Sequence, residues 1–453
     1  MRSLAAALAA LLLLSSVVGL SVADPVAGDS ASPAADGTPA ITPAPEATDG
    51  ATDAGQLGGG APRQIANGTD RYRVLDLQSG SVTGNSIDRA TIDLGPSLGL
   101  DSNSTAARLR TLEMVERVEA ADGDTRQRFI LGELNRIEQG VITLQSRQRA
   151  AITSHGDGDI SGKQLLIRLA QIDETAEELE RRRAQLSALA ADTEDFAVDQ
   201  SRLAAVEREL DTFSGPVRTY AVRVLAGDAP PTRFAIATGE NSVVLTAIRG
   251  ERLIREAYRG DRRRRTGNSM DPETALNITA ESYPSIWDRT RNSTEVVGSG
   301  DSFRVSVSHA SGTLTAFIDS GSGDVFKEFQ TRQVDSMYLG PTRTNVRDDL
   351  RLTVNRSYAG APFQVRLTSA STGGPVDANI TVGLAEEERS DFVGRTGTDG
   401  VLRTLTPREA FTVTAIRGNA VVIVRVDPAP VPRVYADDAD ANETGTGSLT
   451  PGE

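Results

Sequence analysis

The chain reads as a multi-domain α+β protein: an antiparallel helical hairpin or bundle, then an α+β module, then a C-terminal all-β sandwich. Three observations predict it. From Ile130 to Ala190 apolar residues recur at intervals of three and four, the period of helices that bury one stripe. After Pro216 the period falls to two, and glycines break the chain into short strands. Asp271-Pro272 then opens a further helix between two groups of strands, with Asp as N-cap and Pro as first helical residue.

The N-terminus comes first in chain order. Arg2, the apolar run Leu4 to Leu14, and Ser21-Val22-Ala23 have the three-part order of a secretory signal peptide, so residues 1–23 are expected to direct export by the general secretory route. Cleavage would start the mature chain at Asp24. Left uncut, the apolar stretch through Val22 would serve as an anchor and the chain's one membrane contact. Residues 24–62 are Ala, Pro, Thr, Asp and Gly with almost no bulky apolar side chain, too little to offset chain entropy, and are expected to be a disordered stalk. Asn67, Asn103, Asn277, Asn292, Asn355, Asn379 and Asn442 each begin an Asn-x-Ser/Thr triplet, which marks them as glycosylation candidates on surface loops of an extracellular chain.

Composition narrows the partners. The 453 residues carry a formal charge of −14, with 62 Asp and Glu against 48 Lys and Arg, and Lys163 and Lys327 are the only lysines. Such an acidic balance suits solubility in strong brine, although a GC-rich genome also favours Arg over Lys. It disfavours nucleic acid, whose binding is led by basic side chains on phosphates. Arg262 to Arg265 form the one basic cluster, read as a solvated loop.

Residues 63–100 hold two short alternating runs, Tyr72 to Leu77 and Ala90 to Leu94, expected as strands of a later sheet. Residues 101–215 are the helical hairpin or bundle. Ser104 to Glu119 precedes a long helix with a seam at Ile130, Leu134, Ile137, Val141, Leu144 and Ala151, broken only by Gln148. A second follows through Leu165, Leu169, Ile172, Ala176, Leu179, Leu186 and Ala190, with Arg183 intruding, and Ser161 with Gln164 makes its capping box. The pair would form a bundle, an extended spacer or an oligomerising coil, and Asp195 to Phe213 adds a third helix. Residues 216–335 begin with a meander at 233–238, 242–248 and 253–258, residues 345–428 form the sandwich, and residues 429–453 form a disordered acidic tail.

Two segments carry family resemblances. A helix from Pro272, then strands at 303–307, 313–319 and 325–329 with Thr315 to Val325 reading T-A-F-I-D-S-G-S-G-D-V, resembles the PepSY module. Ser322 and Asp324 depart from that family's usual Thr and Glu. The resemblance implies a non-catalytic module that binds or restrains a partner, as in protease pro-regions. Residues 374–382, 394–402 with Asp399-Gly400 at a turn, and 411–415 resemble the carboxypeptidase-regulatory-like, immunoglobulin-like sandwich, which implies a spacer or binding domain. Strands at 351–354, 363–367 and 421–426 complete it. The whole order is similar to uncharacterised secreted proteins of halophilic archaea.

The chemistry-bearing residues are sparse. The chain has no Cys, which removes thiol catalysis and disulfides, and its only histidines, His155 and His309, fall in different modules, so neither a triad nor a metal site is expected. Residues 155–161 resemble a calcium loop in outline, but Thr153, His155 and Gln164 stand where that loop needs carboxylates, so a plain helix-connecting turn is expected. Trp287 is expected in a core. No carboxylate pair stands out. The sequence therefore predicts a non-enzymatic surface protein without cofactor or metal, contacting an envelope or surface-layer protein. The alternative is an accessory regulator or inhibitor of a secreted protease through the PepSY-like module.

Overall fold

The computed structural model describes residues 72–435, apart from 265–268, 289–293, 338–339 and 386–388. The signal segment, the stalk, residues 436–453 of the tail and Asn67, Asn292 and Asn442 lie outside the described residues, whereas residues 429–435, expected in the disordered tail, are ordered because Ala429 and Arg433 bridge Tyr358 and Val74 and Val434 is buried.

Five helices form one layer: α1 (Leu94–Glu119), α2 (Gly123–Gly156), α3 (Gly162–Ala191), α4 (Gln200–Asp211) and α5 (Pro216–Ala226). The α2 and α3 seams are buried where the periodicity puts them, apart from half-buried Leu179, and Gly140 lets the pair approach, since a Cβ there would stand 2.9 Å from Leu179. The capping box is formed: Gln164 N–H donates to Ser161 Oγ at 3.2 Å and Ser161 N–H to Gln164 Oε1 at 2.9 Å.

Three expectations change here. The run Ala90 to Leu94 is not a strand: Ala90 ends β1 (Gly84–Ala90) and Leu94 already opens α1. Of Tyr72 to Leu77, only Val74 makes a bridge, to Arg433. β1 itself has a single bulky apolar residue, Ile87, and is a strand because it lies along β2, a pairing that alternation cannot reveal. Pro216 opens a helix rather than the meander; Pro stands at its first turn and Gly227, at φ 88°, ends it in the left-handed region.

The meander β2 (Thr232–Gly239), β3 (Ser242–Arg249) and β4 (Arg252–Arg259) is followed by α6 (Pro272–Ser282), α7 (Pro284–Trp287), β5 (Thr294–Ser299), β6 (Ser302–His309), β7 (Gly312–Asp319) and β8 (Val325–Gln333). These strands make one antiparallel sheet in the order β1-β2-β3-β4-β8-β7-β6-β5, so the PepSY-resembling strands continue the first meander through the β4–β8 ladder. One face packs on the helical layer through Phe234, Ile236, Leu245, Ile254 and Phe326. The other is covered by Leu75, Leu77, α6, α7 and Val434, with half-buried Trp287 packed against that second core.

The sandwich has two sheets, β14-β11-β10-β9 and β13-β12-β15-β16, built from β9 (Thr342–Arg347), β10 (Leu350–Asn355), β11 (Pro362–Ser369), β12 (Asn379–Leu384), β13 (Ser390–Arg395), β14 (Val401–Leu405), β15 (Phe411–Arg417) and β16 (Ala420–Val426). Gly400 sits at φ 70° in the Asp-Gly turn, and a Cβ there would meet Leu367 O at 2.5 Å. The fold is thus multi-domain α+β, with helices, an eight-stranded antiparallel sheet and a β-sandwich. Among the described residues no helix is long and apolar enough to cross a membrane.

Candidate functional site

Alternation along β4 and β8 sends neighbouring charges to opposite faces of a sheet covered on both sides. Glu256 and Lys327 face the helices, and Arg255 and Glu328 face α6 and α7. All four are almost fully buried. A buried charge is tolerated only when paired or hydrogen-bonded, and the covering elements supply those partners.

On the helical face Glu256 accepts from Arg218 Nε at 2.7 Å and from the backbone N–H of Val217 at 3.1 Å, at the N-terminus of α5. Arg218 also donates to Gln148 Oε1 at 2.8 Å, so the polar break in the α2 seam is a ligand of this network. Lys327 donates to the carbonyls of Asp211, Thr212 and Ser214, at 3.0, 2.6 and 2.6 Å, where α4 ends. The two sheet charges therefore cap opposite helix poles, an anion at an N-terminus and a cation at a C-terminus. Gly215 between them leaves room for the carboxylate, because a Cβ would stand 2.0 Å from Glu256 Oε2. Asp173 accepts from Gly215 N–H at 3.3 Å and Thr219 Oγ1 at 3.0 Å.

Burial pushes Asp173 up to about 7 against the pull of Arg218, and lowers Lys327 to about 7. Groups so displaced mark functional sites when they face a cleft. Here the three N–H donors of Lys327 are matched by three backbone carbonyls, and Asp173 holds the α4–α5 turn, so the arrangement positions helices.

On the opposite face Glu328 accepts from Arg255 Nη1 at 2.8 Å, Leu75 N–H at 2.7 Å and Tyr283 Oη at 2.7 Å. Asp76 lies 3.6 Å from Arg255 and 3.4 Å from Arg408 of the sandwich. This network ties the N-terminal segment, the sheet and the sandwich together.

A cleft of about 350 Å³ lies where the sheet meets the sandwich. Its walls come from β1, β2, β12, β13 and β14, with Asn85, Ile87, Arg233, Asp391, Val393 and Leu405 among the lining. β1, β13 and β14 are each the outer strand of their own sheet, so three sheet edges border one groove. Asp391 stands 3.8 Å from Arg233 and 3.7 Å from Arg389 at the rim, and Phe392 on β13 is 51% exposed.

The residues singled out from sequence are dispersed. His155 is buried in the last turn of α2, with Nδ1 2.8 Å from Thr238 Oγ1, while His309 ends β6 and stacks on Tyr72 at 5.5 Å. Burial lowers the His155 pKa. Thr153 and His155 belong to α2 and Gln164 is spent on its cap, so residues 155–161 are a helix connection. No group of three or more His, Asp or Glu side chains able to hold a metal ion occurs among the described residues. Asn103 and Asn277 are exposed on α1 and α6, Asn355 is half-buried at the end of β10, and exposed Asn379 starts β12, so these triplets lie on regular elements rather than loops. Of the basic cluster expected as a solvated loop, Arg264 is exposed and Arg265 lies outside the described residues, but Arg262 and Arg263 are packed. Arg263, 4% exposed, pairs with Glu209 of α4 and lies 4.7 Å over Phe326, and Arg262 pairs with Asp324 and stacks on Tyr435 at 3.7 Å. What sequence reasoning missed was the buried charges, signalled by Gln148 in an apolar seam and by Arg-Glu and Lys-Glu inside otherwise apolar strands.

A family model described as domain of unknown function DUF7096 matches residues 1–230, just over half of the chain. The chain belongs to the DUF7096 family. Beyond the DUF7096 region, a second family of unknown function, DUF7094, matches residues 234–338, which span the sheet from β2 to β8 and include the PepSY-resembling segment. An archaeal fibronectin-III type-like domain matches residues 341–424, the sandwich that the sequence likened to a carboxypeptidase-regulatory-like domain. No curated protein and no solved structure matches this DUF7096 chain.

Proposed function

We propose that this chain is an exported, non-enzymatic surface protein of a halophilic archaeon that contacts another envelope or surface-layer protein. The fibronectin-III type-like sandwich is consistent with a structural or interaction module. The observation that carries the reading is the meeting of the β1, β13 and β14 edges at one cleft, because an open edge binds an extended segment through its main chain while the cleft takes alternate side chains. The structural pairing of Arg255, Glu256, Lys327 and Glu328 supports a non-catalytic reading. Glycans on Asn103, Asn277, Asn355 and Asn379, with Asn67, Asn292 and Asn442, would coat the exported face.

The test is affinity capture from the envelope fraction with the native chain and an Asn85→Arg variant, which puts a long charged side chain into the cleft at an exposed position of β1. Capture of a surface-layer or pilus component that Asn85→Arg reduces supports the reading, and capture unaffected by the substitution removes the cleft from it. The alternative, an accessory regulator of a secreted protease, draws on the PepSY-like order of α6 followed by β6–β8; it expects a peptidase as main partner. Hydrolase activity in the purified chain, lost on replacing one carboxylate, would overturn both.

A further inference from the structure

α1 has an apolar face that nothing described in this chain covers. Leu94, Leu98, Leu109 and Leu112 are 70%, 66%, 62% and 64% exposed. At 3.6 residues per turn they fall within an arc of about 60°. Leu100, Met114 and Val118, the buried side, point the other way round the helix. Four leucines in one exposed stripe, on an acidic chain that keeps most of its leucines inside, mark an interaction surface.

Their spacing says what fits. Leu94 and Leu112 are centred on residue 103, and Leu98 and Leu109 midway between 103 and 104, so both pairs share a midpoint to within about 1 Å along the axis. A stripe symmetric about its own centre is complementary to an antiparallel copy of itself: a two-fold axis near residue 103 sets Leu98 against the partner's Leu109 and Leu94 against the partner's Leu112. That reciprocity defines an isologous interface. Charge agrees with it. Asp101 and Arg108, both exposed, flank the stripe on the same side, and antiparallel pairing brings each within reach of the other's counterpart. Arg108 pairs with Glu178 at 3.9 Å through a side chain that is 71% exposed, and it would turn from that pairing toward the partner's Asp101. Asn103 lies about 150° round the helix from the stripe, so a glycan there would leave the face open.

We infer that α1 pairs with α1 of a second copy of this chain, antiparallel and two-fold symmetric, through the Leu94-Leu98-Leu109-Leu112 stripe. An apolar contact between two chains of formal charge −14 strengthens as salt screens their repulsion.

Sedimentation velocity of the purified full chain across a concentration series, at low and high salt, tests the inference. A dimer tightened by salt is expected, weakened about tenfold or more by Leu98→Glu with Leu109→Glu. Because these side chains are exposed, the variant should keep the native melting temperature. Asp101→Arg should weaken the dimer, and adding Arg108→Asp should restore it. Orientation is read by oxidative cross-linking, which starts from a background of no Cys. Leu98→Cys mixed with Leu109→Cys should form a heterodisulfide, while Leu98→Cys alone should not, its two copies being about 16 Å apart along the axis. A monomer at every concentration, a dimer indifferent to Leu98→Glu, or self-linking of Leu98→Cys would each overturn the proposal.

Discussion

The eight-stranded sheet and the sandwich are both antiparallel, yet they bury different things. The sheet encloses Arg255, Glu256, Lys327 and Glu328, whereas the buried polar residues of the sandwich among those described are neutral: Ser357, Thr396, Thr404 and Thr406. The sandwich strands bury one face, as in the alternation of β10, and place their charges on the other. Strands β3 and β4 are buried along nearly their whole length, so a charge in them has no water to face and takes its partners from helix ends and covering loops. The difference teaches that in this sheet ions orient the layers, while in the sandwich shape alone closes the core.

The largest expected effect tests that contrast directly. Glu328→Ala leaves Arg255 buried beside Asp76 alone, and about 3–5 kcal/mol of stability should be lost in denaturant titration. Phe411→Ala in the sandwich should cost a comparable amount through a cavity, but equally at pH 5 and pH 8. If the Glu328 variant loses under about 1 kcal/mol, the ions are incidental and the comparison fails.

The second effect is pH dependence of opposite sign in the two regions. Asp173, with its folded pKa raised by burial to about 7, binds a proton on folding; its contribution is complete below about pH 4 and lost as pH rises to about 7. Burial raises Glu328 in the same direction. Lys327, lowered by burial to about 7, contributes fully above about pH 10 and loses that as pH falls to about 7. Asp349 and Asp377 of the sandwich are held low by hydrogen bonds from Ser371 and from Arg395, so their contribution is lost in acid. The helical layer on the sheet should therefore lose stability from pH 4 to 7 by up to about 4 kcal/mol through Asp173 of α3, and Asp173→Asn should flatten that limb in thermal melts. A variant whose profile matches the native one sinks the assignment.

A smaller effect comes from Gly215→Ala. Its φ of −175° is extended backbone, so the penalty arises only from the Cβ meeting the Glu256 carboxylate, and a loss of about 1–3 kcal/mol is expected by calorimetry. Smallest is Ser161→Ala, which removes one helix cap far from the buried ions and should cost about 1 kcal/mol without altering the pH profile.

The helical hairpin was legible because its seam repeats within each helix, and Ser161 with Gln164 announced the start of α3. The sandwich strands at 351–354, 363–367 and 421–426 were legible for the same reason, one buried face giving a local period of two. α5 is marked in the sequence by Gly215-Pro216 and Gly227 at its ends and by the helical spacing of Val217, Tyr220, Ala221 and Val224, a short signal that the alternating strands after it outweigh. Arg262 and Arg263 resemble a solvated charge run until Asp324 comes up against the first and Glu209 and Asp319 against the second.

By itself the sequence determined the element periods, the helix caps and the Gly400 turn, since each depends on residues a few positions apart. Only the tertiary structure decided that the two meanders join at Ala257 and Glu328, that β1 is an edge, that Lys327 is an interior helix cap while Lys163 is a surface partner of Asp93, and that the leucines of α1 stay outside. Those outcomes depend on partners many residues distant. A charged or apolar side chain shows its role only once the fold has chosen what it faces.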